Sequence, residues 1–149
     1  MDIPQELIDD IAQNEVNTGD IYKITMSSVD GITSKDGYIT RDKYFVVLGF
    51  DKQGNVYGGI VFNSKINQNL PPMIKQYHMP ISAKDYPFLS YDSFLNCSQL
   101  MTTTSTHLMQ GKKVGTIKTD DLELIRSTVC SYPNAVPYEL KRFGLINEE

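Results

Sequence analysis

Two nearly continuous apolar runs separated by one short polar turn constrain the fold of this chain more than any other feature. The runs are residues 44–50 (YFVVLGF) and 56–62 (VYGGIVF), and residues 51–55 (DKQGN) separate them. Short runs rich in Val, Ile, Phe and Tyr, bounded by Gly, Asn and Asp, are typical of β-strands, and so short a connection favours antiparallel pairing. The sequence therefore predicts a core β-hairpin.

Shorter strand patterns lie on both sides of this hairpin. They occupy residues 21–26, 77–81, 91–97 and 113–118. Many short strands with long connections between them are typical of a mainly β fold, and we expect a small barrel. The polar residues 27–42 contain two Asp-Gly pairs, which leaves two interpretations open: a hairpin excursion or a long mobile loop.

A helical pattern precedes the first strand. Residues 3–14 place Ile3, Leu7, Ile8 and Ile11 on one helical face, and Asn17-Thr18-Gly19 ends the pattern. This spacing predicts a short amphipathic helix, and we expect Leu7, Ile8 and Ile11 to pack on the barrel.

Helical patterns also follow the last strand. Asp120 with Glu123 three residues later is typical of a helix N-terminus, and the apolar face that follows predicts a helix ending near residues 132–133. Residues 136–145 predict one more short helix ending at Gly144. We thus divide a single 149-residue domain into an acidic helical extension (1–18), a barrel (19–118) and a C-terminal helical segment (119–149).

Composition excludes several classes of protein. The chain is 40% hydrophobic and has no apolar stretch of the roughly 20 residues that a membrane span needs. Its first residues lack the basic start and apolar centre of a signal peptide, so we expect a cytoplasmic protein without a membrane partner. With Cys97, Cys130, His78 and His107 as the only Cys and His residues, the chain has too few soft ligands for structural zinc, and we expect no metal. A disulfide between the two cysteines stays open, but in a reducing compartment we expect two buried thiols.

Charge is unevenly distributed along the chain. Residues 1–20 carry six acidic and no basic residues, whereas residues 21–118 carry eleven basic and six acidic ones, within a net charge of -4. Two interpretations of the basic middle remain open. It could face phosphate groups, since Lys and Arg supply the sequence-independent part of nucleic-acid affinity, or it could be an ordinary solvated surface.

Six short motifs appear in an ordered series. They are GDIY at 19–22, KYFVVL at 43–48, IVFNS at 60–64, NCSQLMT at 96–102, HL at 107–108 and GTI at 115–117. In this order and spacing, over about residues 19–130, the chain resembles the MazF/PemK family of toxin endoribonucleases. The resemblance implies an SH3-like barrel of the MazF/PemK/CcdB type that forms a homodimer, cleaves single-stranded RNA without a metal or other cofactor, and is inhibited by an antitoxin protein.

The resemblance also implies a catalytic centre. The family activates the RNA 2′-hydroxyl as nucleophile, which requires a base, an acid and a cation beside the phosphate. Lys43 stands where the family has a catalytic Arg, and His107 stands where it has another Arg. Ser64 keeps a hydroxyl beside Asn63, which replaces a Thr. We accordingly expect Lys43 to neutralise the phosphate and His107 to transfer a proton.

The remaining matched positions complete the expected site. Ser98 stands where the family has an Asp, next to a retained Gln99, and Met101 replaces an Arg. The expected catalytic residues are Lys43, His107, Ser64 and Ser98. The expected RNA-binding residues are Lys23, Lys35, Arg41, Asn63 and Gln99.

Aromatic residues near this basic region have two interpretations. Tyr38, Tyr44 and Phe45 either stack on unpaired bases or fill the core. The predicted function is that of a divergent endoribonuclease toxin. Because the family's charged positions are substituted, the alternative is a catalytically silent barrel that binds nucleic acid or protein.

Overall fold

The computed structural model describes residues 3–27 and 40–146. Its helices and strands, in chain order, are α1 (Gln5–Glu15), β1 (Asp20–Ser27), β2 (Thr40–Phe50), β3 (Val56–Asn63), α2 (Pro72–Lys75), β4 (His78–Ile81), β5 (Ser93–Asn96), β6 (Met101–Thr104), α3 (Ser105–Gln110), β7 (Lys112–Thr116), α4 (Thr119–Ser131) and α5 (Pro137–Arg142).

The strands form one antiparallel sheet in the order β4-β5-β3-β2-β1-β7. β3 pairs with β2 along one edge, and along its other edge with β6 near its start and with β5 near its end. Within the described residues no pairing joins the end strands β4 and β7, so the sheet is not closed. The prediction of a mainly β fold is confirmed, and the structure contains an open seven-stranded sheet with short helices.

Both faces of the sheet carry apolar side chains, because residues in the central strands alternate between two clusters. One cluster holds Val46, Leu48 and Ile60 and packs against α4 and α5; we call this side the α4 face. The other holds Phe45 and Val47 and packs against α1, β6 and α3; we call it the α1 face. A sheet buried on both faces explains why residues 44–50 form a nearly continuous apolar run.

The segment after α5 rests directly on β2 and β3. Gly49 and Gly58 are paired residues of these strands, and Phe143 lies against both. A Cβ on Gly58 would lie 2.4 Å from Phe143 Cδ2, and a Cβ on Gly49 would lie 1.9 Å from the Phe143 carbonyl oxygen. The two glycines therefore provide the space in which α5 docks on the α4 face.

The N-terminal helix is present, but it packs differently from the prediction. Leu7 is 49% exposed and Ile8 and Ile11 are only half-buried, whereas Ala12 and Val16 are fully buried on the α1 face. The expectation that Leu7, Ile8 and Ile11 form the packing face is therefore wrong. The C-terminal half of the helix packs on the α1 face through Ala12 and Val16, and at its N-terminal end Gln5 is hydrogen-bonded to Thr106 of α3.

The predicted hairpin is confirmed, with Phe45 opposite Val61 and Val46 opposite Ile60. α4 differs at its start: its N-cap is Lys118 and makes no side-chain capping bond, and Asp120 lies in the first turn, where a carboxylate interacts favourably with the helix dipole. β1 and β2 pair as far as Ser27 opposite Thr40, and the two interpretations of the segment between them concern residues outside those described.

Candidate functional site

Lys43 is buried on the α1 face of β2. Its side chain is 7% exposed, and Nζ donates hydrogen bonds to Asn63 Oδ1 (2.5 Å) and to the Phe62 carbonyl oxygen (3.5 Å). Positions 43 and 63 meet because both strands point their odd-numbered residues to this face, and burial of an ammonium group requires such partners. Lys43, the expected phosphate-binding cation, therefore lies beside Asn63, and both of its hydrogen bonds connect it to β3.

His107 is held at both of its ring nitrogens. Nε2 lies 2.5 Å from the carbonyl oxygen of Thr25, and Nδ1 lies 3.0 Å from Thr103 Oγ1. A carbonyl oxygen can only accept a hydrogen bond, so Nε2 carries the proton, and in the neutral ring Nδ1 accepts from the threonine hydroxyl. The imidazole therefore fastens α3 to β1 and β6, and neither nitrogen has a free lone pair or proton for acid or base catalysis.

The structure places Ser98 and Gln99 apart from Lys43. Both residues line a cleft of about 190 Å³ beside α4 and α5, on the α4 face of the sheet. The Ser98 hydroxyl donates to Asn96 Oδ1 at 2.5 Å. Cys97 and Leu100, the residues on either side of this pair, both pack in the α4-face cluster. Ser64 is exposed immediately after β3.

The expected RNA-binding residues fall on different surfaces. Arg41 is half-buried and shares the strand face of Lys43, two positions earlier in β2. Lys23 is exposed and its strand position faces the opposite side, with Ile21. Lys35 lies outside the described residues, as does Tyr38. The structure thus gathers Lys43, Asn63 and Arg41 but separates Lys23 from them.

Lys23 belongs instead to a row of residues across three strands. It is opposite Lys112 of β7 on one side and opposite Tyr44 of β2 on the other. The half-buried Tyr44 ring lies 4.9 Å from the ring of Phe88, and a Cβ on Gly115 of β7 would lie 3.4 Å from the same Phe88 ring. We call Lys112, Lys23, Tyr44 and Phe88 the basic-aromatic strip. Of the aromatic residues considered for stacking, Tyr44 lies here and Phe45 is fully buried in the core.

Sequence reasoning missed Lys112 and Phe88 as members of this strip. The sequence pattern predicts a last strand that begins at residue 113, whereas β7 begins at Lys112, and its register places Lys112 opposite Lys23. The sequence KKVGT at 112–116 contained a signal for Lys112. Adjacent strand residues point to opposite faces, so one of its two lysines must lie on the same face of the sheet as Lys23. Phe88 comes from a long connection, and sequence alone does not indicate its position.

Among the described residues, Cys97 and Tyr86 have strongly raised pKa values. Burial raises the pKa of the Cys97 thiol to about 12, so it is a poor nucleophile and a structural core residue. Burial also raises the pKa of Tyr86 to about 12, and the bond from its hydroxyl to Asp121 Oδ2 (2.5 Å) adds to the shift. In residues 3–27 and 40–146, no three His, Cys, Asp or Glu side chains gather in a way that could hold a metal ion.

Comparison with known proteins adds no relative to this picture. A scan against models of known protein families finds no match, and a search of curated proteins finds no similar sequence. None of the helices within the described residues is long and apolar enough to cross a lipid bilayer.

Proposed function

We propose that the protein is a divergent relative of the MazF/PemK type, with an open sheet, that binds single-stranded RNA without cleaving it, and that RNA lies on the basic-aromatic strip. The observation that carries the proposal is the direct pairing of Lys23 with Lys112 beside the half-exposed Tyr44. Single-stranded nucleic acid is commonly bound by cations that track the phosphates and by aromatic rings on which bases stack.

The charge of the strip supports this proposal. Neither Lys23 nor Lys112 forms an ion pair with a residue that the structure describes, whereas the adjacent Lys113 is 3.2 Å from Asp20 Oδ1. Like charges directly opposite each other on neighbouring strands repel and destabilise the sheet. A phosphate group between the two ammonium groups would turn that repulsion into attraction.

The hydrogen bonds and positions of the expected catalytic residues argue against the endoribonuclease that the resemblance implies. Lys43 Nζ is bound to Asn63 and Phe62, both His107 nitrogens are engaged, and Ser98 belongs to the other face of the sheet. Cleavage by attack of the 2′-hydroxyl, which forms a 2′,3′-cyclic phosphate and expels the 5′-oxygen, needs a proton acceptor and a proton donor on opposite sides of one phosphate. The described residues offer no such pair at Lys43.

The test is a titration of a labelled, unstructured RNA with the full chain, in the presence of EDTA and at several salt concentrations. The variant is the double substitution Lys23→Gln with Lys112→Gln. The control is Lys75→Gln with Lys84→Gln, which removes the same charge from residues outside the strip. Fluorescence anisotropy reports the affinity, and gel analysis of the same samples reports cleavage.

Loss of two phosphate contacts reduces the slope of log affinity against log salt by about 1.4 for a single strand, and we expect that reduction in the strip variant alone. Its melting temperature should not fall, because the substitutions remove a repulsion. An unchanged slope would refute the strip as the RNA surface. Discrete cuts ending in 2′,3′-cyclic phosphate, abolished by Lys43→Gln or His107→Ala, would refute the non-catalytic proposal and restore the nuclease.

A further inference from the structure

A groove lies between the β2–β3 turn and α5. It has a volume of about 480 Å³ and is lined by Asp51, Lys52, Gln53, Tyr138, Lys141 and Arg142. Ligand pockets typically measure about 300–1,000 Å³, so the groove is large enough for a small ligand. We call it the α5 groove. A second cleft of about 640 Å³ shares Lys52 and Gln53 with it and extends past the exposed ring of Phe50.

Cations dominate the α5 groove although the chain as a whole has a net charge of -4. Three of its six lining residues are Lys52, Lys141 and Arg142. The single lining acid, Asp51, is buried, and its Oδ1 accepts hydrogen bonds from the backbone N–H groups of residues 55 (3.2 Å) and 56 (3.4 Å). Its carboxylate therefore holds the turn together, and its charge is partly offset by those amide dipoles.

Arg142 and Lys141 differ in whether an acidic side chain lies beside them. Arg142 is 3.6 Å from Glu139 Oε2, and its guanidinium lies over the Phe143 ring. Lys141 is half-buried and forms no ion pair with any residue that the structure describes. A partly desolvated ammonium group without a counter-ion, at the wall of a groove, favours binding of an anion there.

An exposed aromatic ring completes the groove. Tyr138 is 70% exposed, which is the highest exposed fraction among the large hydrophobic side chains of the described residues. Its ring makes no contact with another aromatic ring of the described residues and forms no hydrogen bond with them. Such a ring contributes little to the core, and a flat ring beside cations is the surface on which a planar heterocycle stacks.

Both walls of the groove are rigid. Phe143 rests on Gly49 and Gly58 and Leu140 is buried in the α4-face cluster, so α5 is fixed to the sheet. The turn is fixed by the Asp51 hydrogen bonds and by Gly54, which has a φ of 72° that favours glycine. A preformed site loses less conformational entropy when a ligand binds.

We propose that the α5 groove is a binding site for a nucleoside phosphate, with the base stacked on Tyr138 and the phosphate held by Lys141 together with Lys52 or Arg142. The ligand is either a free nucleotide or the terminal nucleotide of an oligonucleotide. This site does not depend on the RNA-binding proposal, because the residues that line the α5 groove and those of the basic-aromatic strip do not overlap.

The test is isothermal titration of the full chain with adenosine 5′-monophosphate, adenosine and inorganic phosphate as separate ligands. The variants are Lys141→Gln and Tyr138→Ala. The matched controls are Lys84→Gln, at an exposed lysine outside the groove, and Tyr91→Ala, at a tyrosine that is 60% exposed elsewhere. Tetra-adenylate with and without a 5′-phosphate distinguishes a terminal nucleotide from a free one.

We expect Lys141→Gln to weaken binding of both the nucleotide and inorganic phosphate about tenfold, as the loss of one charge-assisted contact would. Tyr138→Ala should weaken the nucleotide and leave inorganic phosphate unchanged. Absence of nucleotide binding, or equal losses in the control variants, would overturn the proposal. Lys23→Gln with Lys112→Gln should leave nucleotide affinity unchanged, so failure here and failure of the RNA-binding strip are separable.

Discussion

Substitution of Gly58 by alanine should expel the Phe143 ring from the sheet. The new methyl carbon would lie 2.4 Å from Cδ2 and 2.6 Å from Cγ of the Phe143 ring, which is 3% exposed. A small shift of the strand or of the ring does not relieve so short a contact, so the ring must leave its position. Overpacking of a core costs about 1–3 kcal/mol, and complete loss of a buried Phe costs about 3–5 kcal/mol. The gain from a stiffer unfolded chain is about 0.4–1 kcal/mol. We therefore expect Gly58→Ala to lower the free energy of unfolding by about 2–3 kcal/mol.

A double-mutant cycle with Phe143→Ala isolates this contact. Urea unfolding followed by circular dichroism gives the free energy of unfolding of each variant. Once the ring is gone, Gly58→Ala should cost close to nothing. Gly49→Ala should remain costly with or without the ring, because its methyl group would meet the Phe143 carbonyl oxygen at 1.9 Å.

Gly115→Ala provides the control for a glycine in a strand. Its methyl group would lie 3.4 Å from Phe88, an ordinary contact, so we expect a change within about 0.5 kcal/mol. If Gly58→Ala costs the same in the presence and absence of the Phe143 ring, the docking of Phe143 on Gly58 is refuted.

Two further predictions concern polar contacts. His107→Ala should lower the free energy of unfolding by about 1–3 kcal/mol, because the Thr25 carbonyl loses its hydrogen-bond donor. His107→Gln should lower it less, because the glutamine amide can replace Nε2 as the donor. Equal losses of the two variants in urea unfolding would contradict this. Because the pKa of Tyr86 is about 12 in the folded protein and about 10 in the unfolded chain, the stability it contributes is complete below pH 10 and is lost as the pH rises to 12. The urea midpoint of Tyr86→Phe should therefore fall less steeply than that of the unsubstituted protein over this range, and parallel curves would count against the shift.

The central hairpin could be predicted from sequence because its information is local. Two apolar runs and a turn define it, whereas the bulge between Val47 and Gly49, which shifts the register away from the turn, has no such local signal. β6 and α3 could not be predicted, because MTTT and STHLMQ contain few apolar residues and no clear period. Their burial rests on hydrogen bonds to distant backbone, such as that from Ser105 N to the Asn55 carbonyl oxygen.

The candidate site was predictable to the same limited extent. Lys43 and Asn63 meet because neighbouring strands of the hairpin bring them together, which the motif order anticipated. Ser98 and Gln99 do not join them, because the connection from β5 to β6 runs on the α4 face, and that path depends on packing against α4. The α5 groove unites residues about 90 positions apart, so no local pattern could indicate it.

The two helices that cover the α1 face, α1 and α3, lie far apart in the sequence, and this affects the chain during its synthesis. The Thr106 hydroxyl donates a hydrogen bond to Gln5 Oε1 at 2.8 Å, which joins residues 101 positions apart. During synthesis β1, β2 and β3 leave the ribosome well before α3, so α1 has no partner helix and the Phe45 side of the hairpin faces water in the meantime. The nascent chain must therefore carry an uncovered apolar surface until its last third emerges, and this interval is when it is most prone to aggregate.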